Sequence, residues 1–481
     1  MLQRKASTSL LGAALGVSFL LWLVLGSVPR TSAIPAFARK YQTSCSTCHN
    51  NYPELNDFGE AFKKNGFKFP KDDDTFVKEA PVMLGAKAQR EAFPKAVYPG
   101  EMPGSLPLGF RYSGVATYNS KQPSSLGFLP RTDLFTPNAF TIIAAGSFGP
   151  TLSFWIDNDI SAGGANAAAG LGDGYLKVND IGHYLGLPKD TLNIRVGQFE
   201  LDLPFTQARS INLTPYDIYN QAGIAGAQGT TNNPFLLNIP QRGIEIGGYP
   251  NDGNFAWSVA VVNGSNNNPA TRNSKDVYVR VSQRFNLERD ASVRNDVQAA
   301  GPTGPRDHTS IRFGGFYYYG RNALNLDPTS PDFIPNVGTI HEPFYRAGAD
   351  FRFKYRSFEL YGLGMYGHDT NLLAMPATGA PLGFSPGPPV TFSGGLAEAE
   401  YWFYPWFIGL MRYDVVNSPT DFLNGASRHD TRNRLSPGVQ LLVRSNLKLA
   451  FEYQRGWQQP IPNAQQFFRL NGFATGIDYS F

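Results

Sequence analysis

From Gly109 onward the chain alternates apolar and polar residues with a period of two, and turn-forming residues interrupt that alternation repeatedly. In Asp276 to Arg284, Val277, Val279 and Val281 alternate with Tyr278, Arg280 and Ser282. In Asn446 to Gln454, Leu447, Leu449, Phe451 and Tyr453 alternate with Lys448, Ala450, Glu452 and Gln454. Near the C-terminus Phe473, Ile477, Tyr479 and Phe481 share one face. Successive side chains of a strand point to opposite faces, so each segment has one apolar face and one mixed face. About sixteen such segments can be counted, starting near residues 109, 138, 151, 173, 191, 243, 254, 276, 309, 344, 357, 391, 406, 433, 446 and 467. An even number of two-faced strands suits a closed barrel with lipid outside.

The connections support the same reading. Short ones fall at 148–150, 250–253, 355–357, 404–406 and 444–446, and longer ones between them, including 204–242 and 321–341. Alternating turns and loops are what a membrane barrel needs at its two rims. Two connections on the short side, 180–190 and 286–308, break the rule. Charged residues are only 17% and aromatics 14%, which suits a wall between lipid and water but also a large soluble β-sandwich; the alternation of connection lengths favours the barrel. A net charge of +4 without a Lys/Arg cluster gives no basis for a nucleic-acid partner. The expected fold class is mainly β: an outer-membrane β-barrel of about sixteen strands, preceded by a small N-terminal α-helical segment.

That segment carries the chemistry. Arg4 and Lys5, the apolar run Leu10 to Gly26 and the small residues Thr31-Ser32-Ala33 form a signal-peptide pattern over residues 1–33. Export to an oxidising compartment follows. The chain has two cysteines, both in Cys45-Ser46-Thr47-Cys48-His49. This C-x-x-C-H spacing lets two thiols reach the two vinyl groups of one porphyrin, while the adjacent His49 meets the iron. A thioredoxin-like site would sit beside a βαβ pattern, a zinc site would need further ligands, and a disulfide would close too short a loop to stabilise much. The expected cofactor is one haem c, attached at Cys45 and Cys48 and ligated by His49. For the distal ligand, Met83 and Met102 are candidates, and so are a histidine among His183, His308, His341, His368 and His429, or a water. Asn56 or Asp57 can cap a short helix that Gly66 ends. Phe58 and Phe62 fall on one face of it and are expected to cover the haem edge.

The residues Ala33 to Arg39, Cys45 to His49, Pro53, Leu55, Phe58-Gly59, Phe62-Lys63 and Gly66-Phe67 resemble the N-terminal signature of fused cytochrome–porins, a family that includes outer-membrane iron(II) oxidases. The resemblance implies a mono-haem segment over 34–105 and a porin-like transmembrane barrel over 106–481. It also implies electron transfer from an extracellular donor such as Fe(II) to a periplasmic c-type cytochrome or copper protein, in the manner of an iron(II):cytochrome c oxidoreductase or an electron carrier. The chain departs from the iron oxidases at Lys40-Tyr41-Gln42 and at Glu60. The expected location is the outer membrane, in contact with its lipid, with the haem segment in the periplasm or inside the barrel. The alternative is a porin-like solute channel whose haem-containing segment is a plug or sensor; a soluble periplasmic haem enzyme is a third possibility. Asp157, Asp159 and Asp202 could hold a ferrous ion transiently, and Arg346, Asp350, Arg352, Lys354, Glu398 and Glu400 are expected to line a hydrated lumen.

Overall fold

A computed structural model describes residues 36–69, 73–78, 82–83, 91–95, 101–102, 107–119, 132–149, 151–160, 170–206, 212–214, 216–220, 233, 235–251, 253–266, 273–287, 309–323, 341–371, 388–423, 426–456 and 472–481. The signal-peptide stretch lies outside them.

Sixteen antiparallel strands form a single closed barrel. Each strand pairs with its neighbours in sequence, and the last, Gly472–Ser480, pairs with the first, Leu108–Asn119, through Gly472↔Asn119 and Ser480↔Arg111. Closure removes the unpaired edges that lipid could not satisfy. The strands start at 108, 132, 152, 170, 193, 241, 255, 276, 310, 341, 358, 390, 407, 426, 447 and 472, so all sixteen expected segments are present. The largest offsets are at Thr132–Phe148 and Ala426–Arg444, which start at 132 against an expected 138 and at 426 against 433. Both extensions lie on the long-loop side; residues 426–432 are polar apart from Ala426, and residues 132–137 mix polar residues with Leu134 and Phe135, so pairing continues where no regular alternation marks it.

The valines of the clearest strand face outward, as the alternation requires. Val277, Val279 and Val281 are exposed, and Val277 and Val279 lie opposite Tyr319 and Tyr317 of the next strand. Val196, Ile244, Ile246 and Val261 continue the outer apolar surface over three neighbouring strands. At the short-turn rim the exposed Tyr401, Phe403, Tyr404 and Trp406 form an aromatic band, with Tyr404 and Trp406 stacked at 5.5 Å. Phe481 joins Phe110 there in a stack at 5.5 Å. An apolar outer belt with an aromatic rim is the surface of a membrane-embedded barrel, not of a soluble sandwich.

The interior departs from the expected hydrated lining. The connection after Asn193–Phe199 turns into the barrel, where Leu201, Leu203, Phe205, Tyr216, Ile218, Tyr219, Phe235 and Leu237 are buried against the inward Tyr278, Phe316, Tyr318, Phe344, Tyr361 and Phe392. Its polar groups are matched to the wall: Asn212 donates to Glu398 at 2.9 Å, Thr214 to Glu452 at 2.8 Å and Asn233 to Asp369 at 2.6 Å. The inward charges are mostly paired and buried, among them Arg346 with Asp369 and Arg280 with Asp350. Pairing of this kind offsets the desolvation of charges that a packed lumen imposes.

Val281→Arg places a cation on the outer face and is expected to destabilise the barrel by about 2–4 kcal/mol if it lies near the bilayer midplane. Denaturant unfolding of the protein in lipid checks this, with Ser282→Thr on the inner face as the near-neutral comparison.

Candidate functional site

The N-terminal segment lies inside the barrel at its short-turn end. The order of contacts follows from its sequence. Asn56 caps the helix Asp57–Lys64 by accepting from Gly59 N at 2.8 Å. Its amide then reaches back to Thr47 O at 3.0 Å, and its backbone N donates to Cys48 O at 2.9 Å. The cap therefore fixes both the helix start and the Cys45–Cys48 loop. Gly59 is required by this packing: a Cβ there would lie 2.0 Å from Cys48 O. Gly66, at φ +70, ends the helix in the left-handed region that glycine tolerates.

The segment is attached to the wall around much of its circumference. Asn51 donates to Gln440, and Lys448 donates to Tyr52 O at 2.8 Å. Arg352 pairs with Glu54, and Lys354 and Arg284 lie 3.3 and 3.5 Å from Asp57 at the helix N-terminus. At the other end of the helix Lys177 donates to Lys64 O at 2.7 Å. Anion first and cation last is the arrangement the helix dipole favours. Phe62 is buried with Tyr41, Phe67 and Phe69, while Phe37, Phe58 and the wall residue Trp155 pack against that cluster. Phe58 and Phe62 thus share a face, as expected, and that face closes an aromatic core between helix and wall.

The C-x-x-C-H residues fit a covalent haem. Cys45 and Cys48 are both free thiols and partly exposed. Cys45 meets Ser445 in a turn of the rim; burial raises its pKa and that hydrogen bond lowers it. Burial pushes Cys48 up to about 12. His49 Nδ1 lies 3.2 Å from Pro53 O and 3.3 Å from Glu54 O. Two acceptor carbonyls call for a proton on Nδ1, which leaves the Nε2 lone pair for a metal. Burial holds the imidazole down to about 4, so it is neutral at pH 7 and its lone pair is available. Among distal candidates, Met83 lies in the two-residue strand Val82–Met83, paired with Glu101–Met102. His183 lies in the short helix Ile181–Leu185, His341 begins a strand, and His368 stacks on Tyr345 at 5.1 Å. His308 lies outside the described residues.

The three aspartates considered for a transient ion do not converge. Asp157 accepts from Trp155 Nε1 at 2.7 Å and from Asp173 N at 2.9 Å. Asp159 accepts from Thr141, and Asp202 lies 4.0 Å from Arg280. Among the described residues, carboxylates do converge at Glu54, Glu359 and Glu400. Sequence reasoning placed Glu400 on the inner face but had no signal for Glu54, whose contact depends on how the segment docks.

No family model matches the chain, and no curated protein does. Solved outer-membrane barrels are similar in fold. The outer-membrane channel DcaP of Acinetobacter baumannii is 11% identical, over 78% of this chain and 96% of that one, with a TM-score of 0.46. OmpF of Salmonella typhi, solved with daunomycin, is 11% identical over 78% and 97%, at 0.48. An anion-selective porin from Comamonas acidovorans is 12% identical over 78% and 98%, at 0.47. The chain's own architecture is a closed antiparallel barrel of sixteen strands.

Gly59→Val is expected to free the 45–69 segment while leaving the barrel closed. Limited proteolysis should then cut within that segment at a rate at least tenfold above wild type, with heat-modifiable migration of the barrel unchanged.

Proposed function

We propose that this chain carries one haem c on Cys45 and Cys48, with His49 as axial ligand, and passes electrons across the outer membrane. The haem supplies a reversible one-electron store. The single observation that carries the reading is the C-x-x-C-H loop, with free thiols and a carbonyl-anchored His49 Nδ1, held by a segment fixed inside a closed barrel. The hydrocarbon layer is about 30 Å thick, too wide for one useful tunnelling step. A cofactor held within the wall shortens the remaining gap on each side. The extracellular donor is a small reductant such as Fe(II), and the periplasmic acceptor is a c-type cytochrome or copper protein. On this reading the protein acts as an iron(II):cytochrome c oxidoreductase.

The chain's own residues supply the setting. Pro53 and Glu54 carbonyls orient the imidazole. Asn56 and Gly59 keep the cysteine loop against the helix. Lys448, Gln440 and Arg352 hold the loop to the wall, so that the distance to an approaching partner is fixed.

A second reading, a solute channel with the segment as plug, is favoured by the barrel and by a cavity between the segment and the inward connection, lined in part by Glu60, Lys64, Asp202, Arg280 and Arg312. The buried contacts of both inserts oppose a continuous aqueous path.

Protein made in cells with a working cytochrome maturation system should be heavier than the bare mature chain by one haem. It should show an α-band that Fe(II) develops. Cys45→Ser with Cys48→Ser should return the bare mass in a barrel that still migrates as folded. A bare mass for the wild type, together with ion conductance in a planar bilayer, would replace this reading with the channel.

A further inference from the structure

Glu359 and Glu400 are cross-strand partners on the inner faces of Phe358–Asp369 and Val390–Tyr404. Glu54 of the N-terminal segment docks against them, and one oxygen from each carboxylate lies within 4.8 Å of the others. All three are buried, at 8, 2 and 1% exposure for Glu54, Glu359 and Glu400. The partners at hand leave two of the three incompletely satisfied. Arg352 donates through Nη2 to Glu54 Oε1 and through Nε to Glu359 Oε1. Tyr361 OH donates to Glu400 Oε1 at 3.2 Å. Lys354 Nζ stands 4.0 Å from Glu359 Oε2, and is closer, at 3.3 Å, to Asp57. Glu54 Oε2 and Glu400 Oε2 are buried with no donor.

A buried carboxylate oxygen without a donor is costly, two of these are left here, and three carboxylates around one guanidinium leave excess negative charge. Glu398, which accepts from Asn212 at 2.9 Å, is a further carboxylate and brings no donor to the cluster. The cavity beside the cluster, lined by Glu54, Arg352 and Tyr361, gives a small ion a place to enter from the lumen.

We propose that Glu54, Glu359 and Glu400 form a site for a hard divalent cation, with Ca²⁺ as its probe, which ties the N-terminal segment to the barrel wall. The donors are all carboxylate oxygens, the set that hard cations prefer. Convergence of one oxygen from each carboxylate to within 4.8 Å of the others is close enough for all three to reach one such ion. The inference goes beyond the haem reading and does not require it.

The test uses the purified full-length mature protein in detergent, stripped with chelator and dialysed against Ca²⁺. Wild type should retain one more Ca²⁺ per chain than Glu359→Gln/Glu400→Gln, and chelator should raise proteolysis of residues 36–69 in wild type but not in the variant. Equal Ca²⁺ retention by the two would overturn the proposal, as would a wild type whose proteolysis is indifferent to Ca²⁺; either result would assign the free oxygens to a shared proton. If the double variant does not fold, Glu359→Gln alone is compared in the same two measurements. Neither readout depends on the haem, so a bare-mass chain that still binds Ca²⁺ would refute only the electron-transfer reading.

Discussion

The structure depends on the burial of a charged, aromatic N-terminal segment inside a wall that presents its own charges to receive it. A sixteen-stranded cylinder is wide enough to leave a channel unless something fills it. Here two pieces of the same chain do so: the 36–69 segment at the turn end, and the inward connection after Phe199. Arg352 meets Glu54, Lys354 meets Asp57 and Lys448 meets the Tyr52 carbonyl, while Phe62, Phe67 and Trp155 contribute apolar contact between them. Removing one partner of such a buried pair leaves an uncompensated charge, which is why position and orientation are sharply defined.

The same contacts define the setting of the C-x-x-C-H loop. Asn56 joins helix cap to cysteine loop, and the carbonyls of Pro53 and Glu54 hold His49. Glu54 therefore has two connections: its backbone faces the imidazole and its side chain faces the wall. Any movement of the segment against the barrel passes through this residue to His49.

The wall was legible in the sequence because lipid imposes a strict rule. Val277, Val279 and Val281 can face only outward, so a period of two fixes both strand and register parity. The helix cap at Asn56 and the stop at Gly66 were legible for a similar local reason. What fills the lumen was not. The 204–242 connection read as a long external loop because its length and its Gly/Pro/Asn content are those of a loop. The burial of its described residues, Phe205, Tyr216, Ile218 and Phe235 among them, depends on meeting Tyr278, Phe316 and Tyr361, which lie far along the chain. Arg346 and Asp350 read as a solvated lining for the same reason: a polar inner face looks alike in sequence whether water or a second piece of chain covers it. The Glu54, Glu359 and Glu400 cluster joins residues hundreds of positions apart, and no spacing in the sequence announces it.

The most direct test of this account is amide hydrogen exchange of residues 51–64 in native outer-membrane vesicles. The docked segment predicts protection comparable to that of the wall strand Phe358–Asp369, at least a hundredfold slower than an unstructured peptide. Exchange at the unstructured rate, with the wall strands still protected, would contradict it.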